Sequence, residues 1–478
     1  VGTLRFAPPE AHACWGGTRD ATTFGAKCPQ YDNSTTPPTL VGDEDCLTLN
    51  VWTPATGATA TPRPVMFFIH GGGNVQGASS AQIVGGTPLY TGKHLAAAHD
   101  AVVVTVNYRL GALGFLATDE LKAESDSASA GNYAIMDQLA ALRWVRDNIA
   151  AFGGDAQRVL LFGESAGGGN VCSLLATPSA AGLFHAALIQ SGGCLLPQMA
   201  TVVGRHNMLV DNSSCGAAAD RLACLRELDV DTLLGEFPGS ISGVFDASLE
   251  GVGVGYGPLV DGKLITQSPL AAMTAGTHNQ VPIVFGTNAE ELAQLITTKV
   301  NTEAEYVATI EAAFMSQGQS WIDSVLAAYP AANYPDAQAA LVDVFSDMRF
   351  TCLNRAYARA AAAGPQPVYR YWFSRQAETK QGPLAAAHGI ELAYMFGSLS
   401  DIPLFTPAAA DAALSSDMMG YWARFAASGD PNGAGAVNWP KYNNATDPVL
   451  VLDSPIVSQD NLKTAQCDMW DSFYLTQL

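Results

Sequence analysis

The chain is poor in charge, and poorest in positive charge. Only 14% of its 478 residues are Asp, Glu, Lys or Arg, and 24 Lys and Arg face 44 Asp and Glu, a net charge of −20. A surface this acidic repels phosphate backbones and anionic headgroups, which argues against nucleic acid and anionic membrane as partners. No run of about 18 apolar residues occurs, so no transmembrane helix and no stable membrane insertion is expected. No C-x-x-C and no clustered His/Cys spacing appears, so no metal site is predicted. There is no internal repeat, no composition shift and no long linker, and the sequence reads as one large domain over 1–478. No signal peptide is visible either, so the sequence reads as a processed or trimmed form.

What is present fills in the class. Hydrophobic residues make up 48% of the chain, enough for a large core. Cysteines number nine. Cys28/Cys46 and Cys215/Cys224 each close a short, polar, loop-like segment, which suits disulfides better than metal sites. Cys14, Cys172, Cys194, Cys352 and Cys467 are left unassigned. Glycosylation sequons begin at Asn33, Asn212 and Asn444, all in loop-like surroundings. Together these features predict a secreted, extracellular protein.

Near-continuous apolar runs at Pro64–His70, Ala101–Tyr108 and Arg158–Phe162 read as strands covered on both faces. Further strands are expected at Glu44–Trp52, His185–Gln190, Val281–Gly286 and Val368–Phe373, and residues 29–43 as a surface loop. Ile135, Leu139, Leu142, Val145 and Ile149 recur at helical spacing, and Gly153-Gly154 stops that helix. Strands alternating with helices predict an α/β fold with a largely parallel central sheet.

The chemistry centres on Gly163-Glu164-Ser165-Ala166-Gly167, set between a predicted strand and a predicted helix. Such a turn exposes a serine nucleophile, and its glycines relieve crowding that side chains would create. Serine needs a base. In this arrangement the partners follow in chain order serine, acid, histidine. Four histidines follow Ser165, of which His185 lies on a predicted strand and His206 and His278 precede the acid-bearing loop. His388, in a glycine-flanked loop, remains as an exposed general base. After the strand ending at Gly286, Glu290 and Glu291 are equivalent as the acid by spacing alone. His70-Gly71-Gly72-Gly73, directly after a strand, supplies N–H groups free of side chains for an oxyanion, with Ala166 N–H as a further donor.

These residues resemble the type-B carboxylesterase/lipase family, which includes cholinesterases and fungal lipases and sterol esterases. Glu44–Val51 and Phe162–Gly168 match its two signatures almost whole. Asn107–Phe115, Gly131-Asn132, Asp137-Gln138, Phe152–Asp155, Gln190–Gly192 and His388-Gly389 stand around them. The resemblance implies an α/β-hydrolase fold and a secreted serine carboxylic ester hydrolase that needs no cofactor. It places the acid at Glu291, oxyanion donors at Gly72, Gly73 and Ala166, and disulfides at Cys28–Cys46 and Cys215–Cys224. It also implies that Glu164 and Ser191 form a buried supporting pair behind the histidine.

Three departures bear on substrate. The family's N-terminal strand pair precedes the segment corresponding to Val1–Phe6 and is missing here. The Cys28–Cys46 loop spans only residues 29–45 and holds no tryptophan, which argues against choline esters and against strong interfacial activation. Gly251–Tyr256 carries small residues where cholinesterases have bulky aromatics, which implies a roomy acyl pocket. The expected substrate is a small-molecule or lipid ester. A lipase or sterol esterase acting on long acyl chains, an aryl esterase, and a non-catalytic recognition ectodomain are the alternatives.

Overall fold

The computed structural model describes residues 4–13, 15–54, 61–80, 82–83, 87–239 and 255–475. Its framework is a nine-stranded sheet built from β1 (Leu49–Trp52), β2 (Arg63–Ile69), β3 (Val102–Val106), β4 (Gly154–Glu164), β5 (Ala186–Gln190), β6 (Ile283–Asn288), β7 (Val368–Phe373), β8 (Val449–Leu452) and β9 (Val457–Gln459). The order across the sheet is β9-β8-β7-β6-β5-β4-β2-β3-β1. From β3 to β8 every neighbouring pair is parallel, and β1 and β9 close the two edges antiparallel. This is the α/β architecture expected from the alternation of strands and helices.

The apolar runs are continuous because both faces are covered. Along β2, Val65, Phe67 and Ile69 enter one core while Met66 and Phe68 enter the other. In β3, Val102, Val104 and Val106 likewise alternate with Val103. Side chains of period two thus fill two separate cores across one sheet.

Two expectations for the first fifty residues need correction. Only Leu49–Trp52 of the predicted strand Glu44–Trp52 is extended in the sheet. Ahead of it, Asp45 N–H donates to Asp43 Oδ1 at 2.8 Å, and Glu44 takes a two-pronged ion pair from Arg5 at 2.8 and 2.5 Å. Local turn bonds and the Cys28–Cys46 disulfide therefore claim residues that alternate like a strand. Residues 29–43, read as loop, contain the antiparallel hairpin Gln30–Asp32/Thr39–Val41.

Among the described residues four disulfides are formed: Cys28–Cys46, Cys172–Cys194, Cys215–Cys224 and Cys352–Cys467. The first and third are those expected, and the other two pair cysteines that the sequence left unassigned. Cys14 lies outside the described residues. Among the described residues, no helix is long and apolar enough to cross a membrane.

Helices Cys352–Ala361 and Thr464–Leu475 are joined by one of these disulfides and by an ion pair of Arg355 with Asp468. Asp447 accepts from Arg355 Nε at 2.5 Å and from Arg370 Nη1 at 2.6 Å, and all three side chains are at least 95% buried. Removing one member of a buried pair leaves the other charge desolvated and uncompensated. Asp447→Ala is therefore expected to destabilise the fold by about 3–5 kcal/mol. Urea unfolding checks this.

Candidate active site

β4 runs directly into Ser165, which sits at φ 56° and ψ −125°, and the helix Ala166–Leu175 leaves from the next residue. An L-residue pays for a left-handed φ, and here the surrounding backbone enforces it. A Cβ on Gly167 would stand 2.1 Å from Ile69 O, and one on Gly163 2.6 Å from Gly167 C. Both glycines are thus required sterically, as the crowding argument held. Ser165 N–H donates to Gln190 O at 2.9 Å and Ser165 O accepts from Gly169 N–H at 3.0 Å, so the elbow is fixed on both sides.

The His70–Gly73 loop leaves the C-terminal end of β2, the strand beside β4. A Cβ on Gly71 would meet Glu164 Oε2 at 2.7 Å and Ser165 Cβ at 2.9 Å, so the loop lies against the elbow. Gly72 and Gly73 take φ of 103° and 63°. Among the described residues neither of their N–H groups donates to a backbone acceptor. Ala166 opens its helix, where N–H groups have no partner within the helix. His70 is not a base. Its ring stacks on Tyr108 at 4.4 Å, and burial pushes it down to about 4, so it stays neutral with Nδ1 2.8 Å from Gly71 O.

The acid and the histidine arrive on two loops joined through the backbone. Glu290 N–H donates to Ala386 O at 3.0 Å and His388 N–H to Glu291 O at 3.1 Å. Glu291 Oε2 lies 2.6 Å from His388 Nδ1. Its other oxygen accepts from Ser191 Oγ at 2.5 Å and from Asn288 N–H at 2.7 Å. Glu290 instead accepts from Ala386 N–H at 3.1 Å and faces away. Of the two carboxylates that spacing left equivalent, Glu291 is the one brought to the imidazole. Nε2 of His388 lies 3.1 Å from Glu164 Oε1, on the residue before Ser165, so this edge of the ring faces the elbow.

His388 is not the exposed residue its glycine-flanked loop suggested. Its side chain is 9% exposed, and Phe350 packs on it with ring centroids 5.0 Å apart. Phe350 belongs to a π-helical turn, Asp347–Thr351, that no local residue pattern announces. Sequence reasoning also passed over Glu391. It is fully buried and accepts from Gln190 Nε2 at 3.0 Å and Asn288 Nδ2 at 2.6 Å. Its spacing of three residues after His388, at the start of the helix Glu391–Met395, was the available signal.

Three buried glutamates therefore surround one imidazole. Burial pushes Glu164 up, opposed by His388 and reinforced by Glu291. Burial also pushes Glu391 up, with Glu164 adding to it. For His388, burial alone would lower the value, but Glu164, Glu291 and Glu391 outweigh it and raise it. The three carboxylates together favour the protonated imidazole.

The remaining histidines stand elsewhere. His206 is buried, pushed down to about 4 by burial, and accepts from Ala117 N–H at 3.0 Å. His278 is buried and lowered for the same reason. In the acyl-pocket segment, residues 251–254 lie outside the described residues, while Tyr256 packs on His206 at 5.4 Å. Asn33, Asn212 and Asn444 are all exposed. Among the described residues, no group of three or more His, Cys, Asp or Glu is placed to hold a metal ion.

The carboxylesterase family profile matches residues 1–470. The chain is similar to the pyrethroid hydrolase Ces2e of Rattus norvegicus, 32% identical over 504 residues and covering 98% of this chain and 83% of that protein. Similarity to the cocaine esterase of Homo sapiens is 33% over 503 residues, with 98% and 84% covered. Among solved structures, PNB esterase superposes with a TM-score of 0.79 at 30% identity, over 98% of this chain and 93% of that one. With the sheet and the serine elbow described above, these matches establish that the chain belongs to the carboxylesterase family, with an α/β-hydrolase fold, and is a serine carboxylic ester hydrolase.

Proposed function

We propose that the chain is a secreted carboxylesterase that works through Ser165, His388 and Glu291 by way of an acyl-enzyme. The observation that carries this reading is the 2.6 Å contact of Glu291 with His388 Nδ1 while Nε2 faces the serine elbow. Ser165 Oγ attacks the ester carbonyl as His388 Nε2 takes its proton. Glu291 fixes the imidazole tautomer and stabilises the imidazolium. The tetrahedral oxyanion is bound by the N–H groups of Gly72, Gly73 and Ala166. His388 then protonates the leaving alcohol, and a water molecule, activated by the same base, releases the acid and restores Ser165.

Ser191 supports the histidine through Glu291, on the Nδ1 side, and Glu164 supports it by charge from the Nε2 side. The names of the two mammalian relatives support small-molecule carboxylic esters as the substrate class. Four disulfides and three exposed sequons support an extracellular, glycosylated protein. One sheet drawing strands from residues 49 to 459 supports a single domain over 1–478.

Hydrolysis of p-nitrophenyl esters from acetate to palmitate tests the reading. Ser165→Ala should lower kcat by on the order of 10⁴–10⁶. Undiminished hydrolysis by that variant would place the chemistry elsewhere. A profile peaking at short chains favours a carboxylesterase, and one peaking at palmitate favours a lipase.

The site electrostatics predict a second result. The base must be neutral to act, and Glu164 helps to hold its proton on. In Glu164→Gln the folded-state value of His388 falls, so the acidic limb of the kcat/KM–pH profile should move to lower pH, by on the order of one unit. The plateau rate should fall as well, because the imidazolium formed in the transition state loses a counter-charge. An acidic limb that stays in place would remove Glu164 from this role.

A further inference from the structure

Asn74 follows the two oxyanion glycines and continues their strained path, with φ 59° after 103° and 63°. Three successive left-handed residues do not hold themselves in place, and asparagine is among the few side chains that tolerate that region. On one side the turn is pinned by Gly111 N–H, which donates to Asn74 O at 2.8 Å. On the other, Asn170 Nδ2 donates to Asn74 Oδ1 at 3.0 Å. Asn170 is fully buried and is the fifth residue of the helix that Ala166 begins. This hydrogen bond therefore joins the loop carrying the Gly72 and Gly73 donors to the helix carrying the Ala166 donor.

We infer that Asn74 and Asn170 act as a pair of positioning residues that hold the oxyanion donors of loop and helix in one geometry. The inference rests on the ester-hydrolysis reading above. Three features point to positioning rather than general stability. The buried Asn170 amide also hydrogen-bonds the Tyr108 hydroxyl, so one side chain holds both Asn74 and Tyr108 at this corner of the loop. The Tyr108 hydroxyl, beside the Asn170 amide, donates to His70 O at 2.7 Å, so the first residue of the loop is tied down next to the last. The donors between them, at Gly72 and Gly73, carry no side chain that could anchor them. An oxyanion hole depends on donors that need no rearrangement as charge develops, and a misplacement of about 1 Å is costly in rate.

The test uses Asn74→Gly, which removes the side chain at a φ that glycine favours, together with Asn170→Ala and the double variant. kcat and KM are measured on p-nitrophenyl butyrate, and Ki for an alkyl trifluoromethyl ketone, whose serine hemiketal places an oxyanion in the same donors. Each single variant should lose about 10- to 100-fold in kcat with KM within about twofold, and ketone affinity should weaken by the same factor. The double variant should be no worse than the more damaged single, because both remove one interaction.

A lowered Tm with kcat and ketone affinity unchanged would overturn the inference, leaving the pair a stability element. Losses that multiply in the double variant, or ketone affinity that does not track kcat, would overturn it too. If Asn170→Ala does not fold, Asn74→Gly alone still gives the kcat and ketone comparison. Failure of the underlying reading shows separately, as wild-type protein without esterase activity or with activity that survives Ser165→Ala.

Discussion

The contact between the end of β2 and the turn after β4 is the constraint on which the site depends. The two strands pair in parallel with Ile69 opposite Gly163, and the elbow folds back so closely that any side chain at Gly167 would strike the Ile69 carbonyl. That closeness has two effects. It forces Ser165 into a left-handed backbone conformation, and it places the loop leaving β2 against the serine. The position of Ser165 and that of the glycine loop, the proposed nucleophile and oxyanion donors, are thus consequences of one strand pairing rather than separately placed parts. The energetic cost of the strained serine is borne by the hydrogen bonds and packing of a sheet buried on both faces.

Charge is the second constraint. A single imidazole sits among three buried carboxylates, two of them supplied with donors: Ser191 and Asn288 for Glu291, and Gln190 and Asn288 for Glu391. Asn288 serves both glutamates, its backbone bonding one and its side chain the other, and its amide also reaches Ala387 O at 2.7 Å. Such sharing couples the acid loop to the histidine loop. Phe350 on its π-helical turn covers the ring, so the field of the carboxylates acts with little screening by water.

The family signatures away from the serine have structural explanations. Arg109 grips Asp137 at 2.8 and 2.7 Å and reaches Ala7 O at 2.8 Å, which joins the segment after β3 to a helix and to the N-terminal strip. Asn132 pairs with the Leu259 backbone in both directions, at 3.0 and 3.1 Å, and so secures the segment that borders the acyl-pocket loop. Glu44 is held by Arg5 next to the Cys28–Cys46 disulfide. Gln30, within that disulfide loop, exchanges hydrogen bonds of 2.8 Å with the Gly77 backbone and so ties the hairpin to the segment after the glycine triplet.

Sequence alone determined whatever depends on local pattern. Apolar runs covered on both faces marked the central strands, helical spacing marked Tyr133–Asn148, and glycines around Ser165 marked the elbow, because each is a property of neighbouring residues. The reading weakened where distant segments compete for the same backbone, as at Glu44–Thr48, and where proximity is set by chains far apart in number. Glu290 and Glu291 are adjacent and alike, and only the two joined loops turn one of them to His388. Glu391, Asn288, Gln190 and Phe350 lie up to 201 residues apart in contact, so no local pattern could gather them. The pairings Cys172–Cys194 and Cys352–Cys467 are of the same kind. Local chemistry marked Ser165, while the balance at His388, pushed down by burial and raised by three carboxylates, was decided by tertiary structure, because both effects depend on what the whole fold packs around a group.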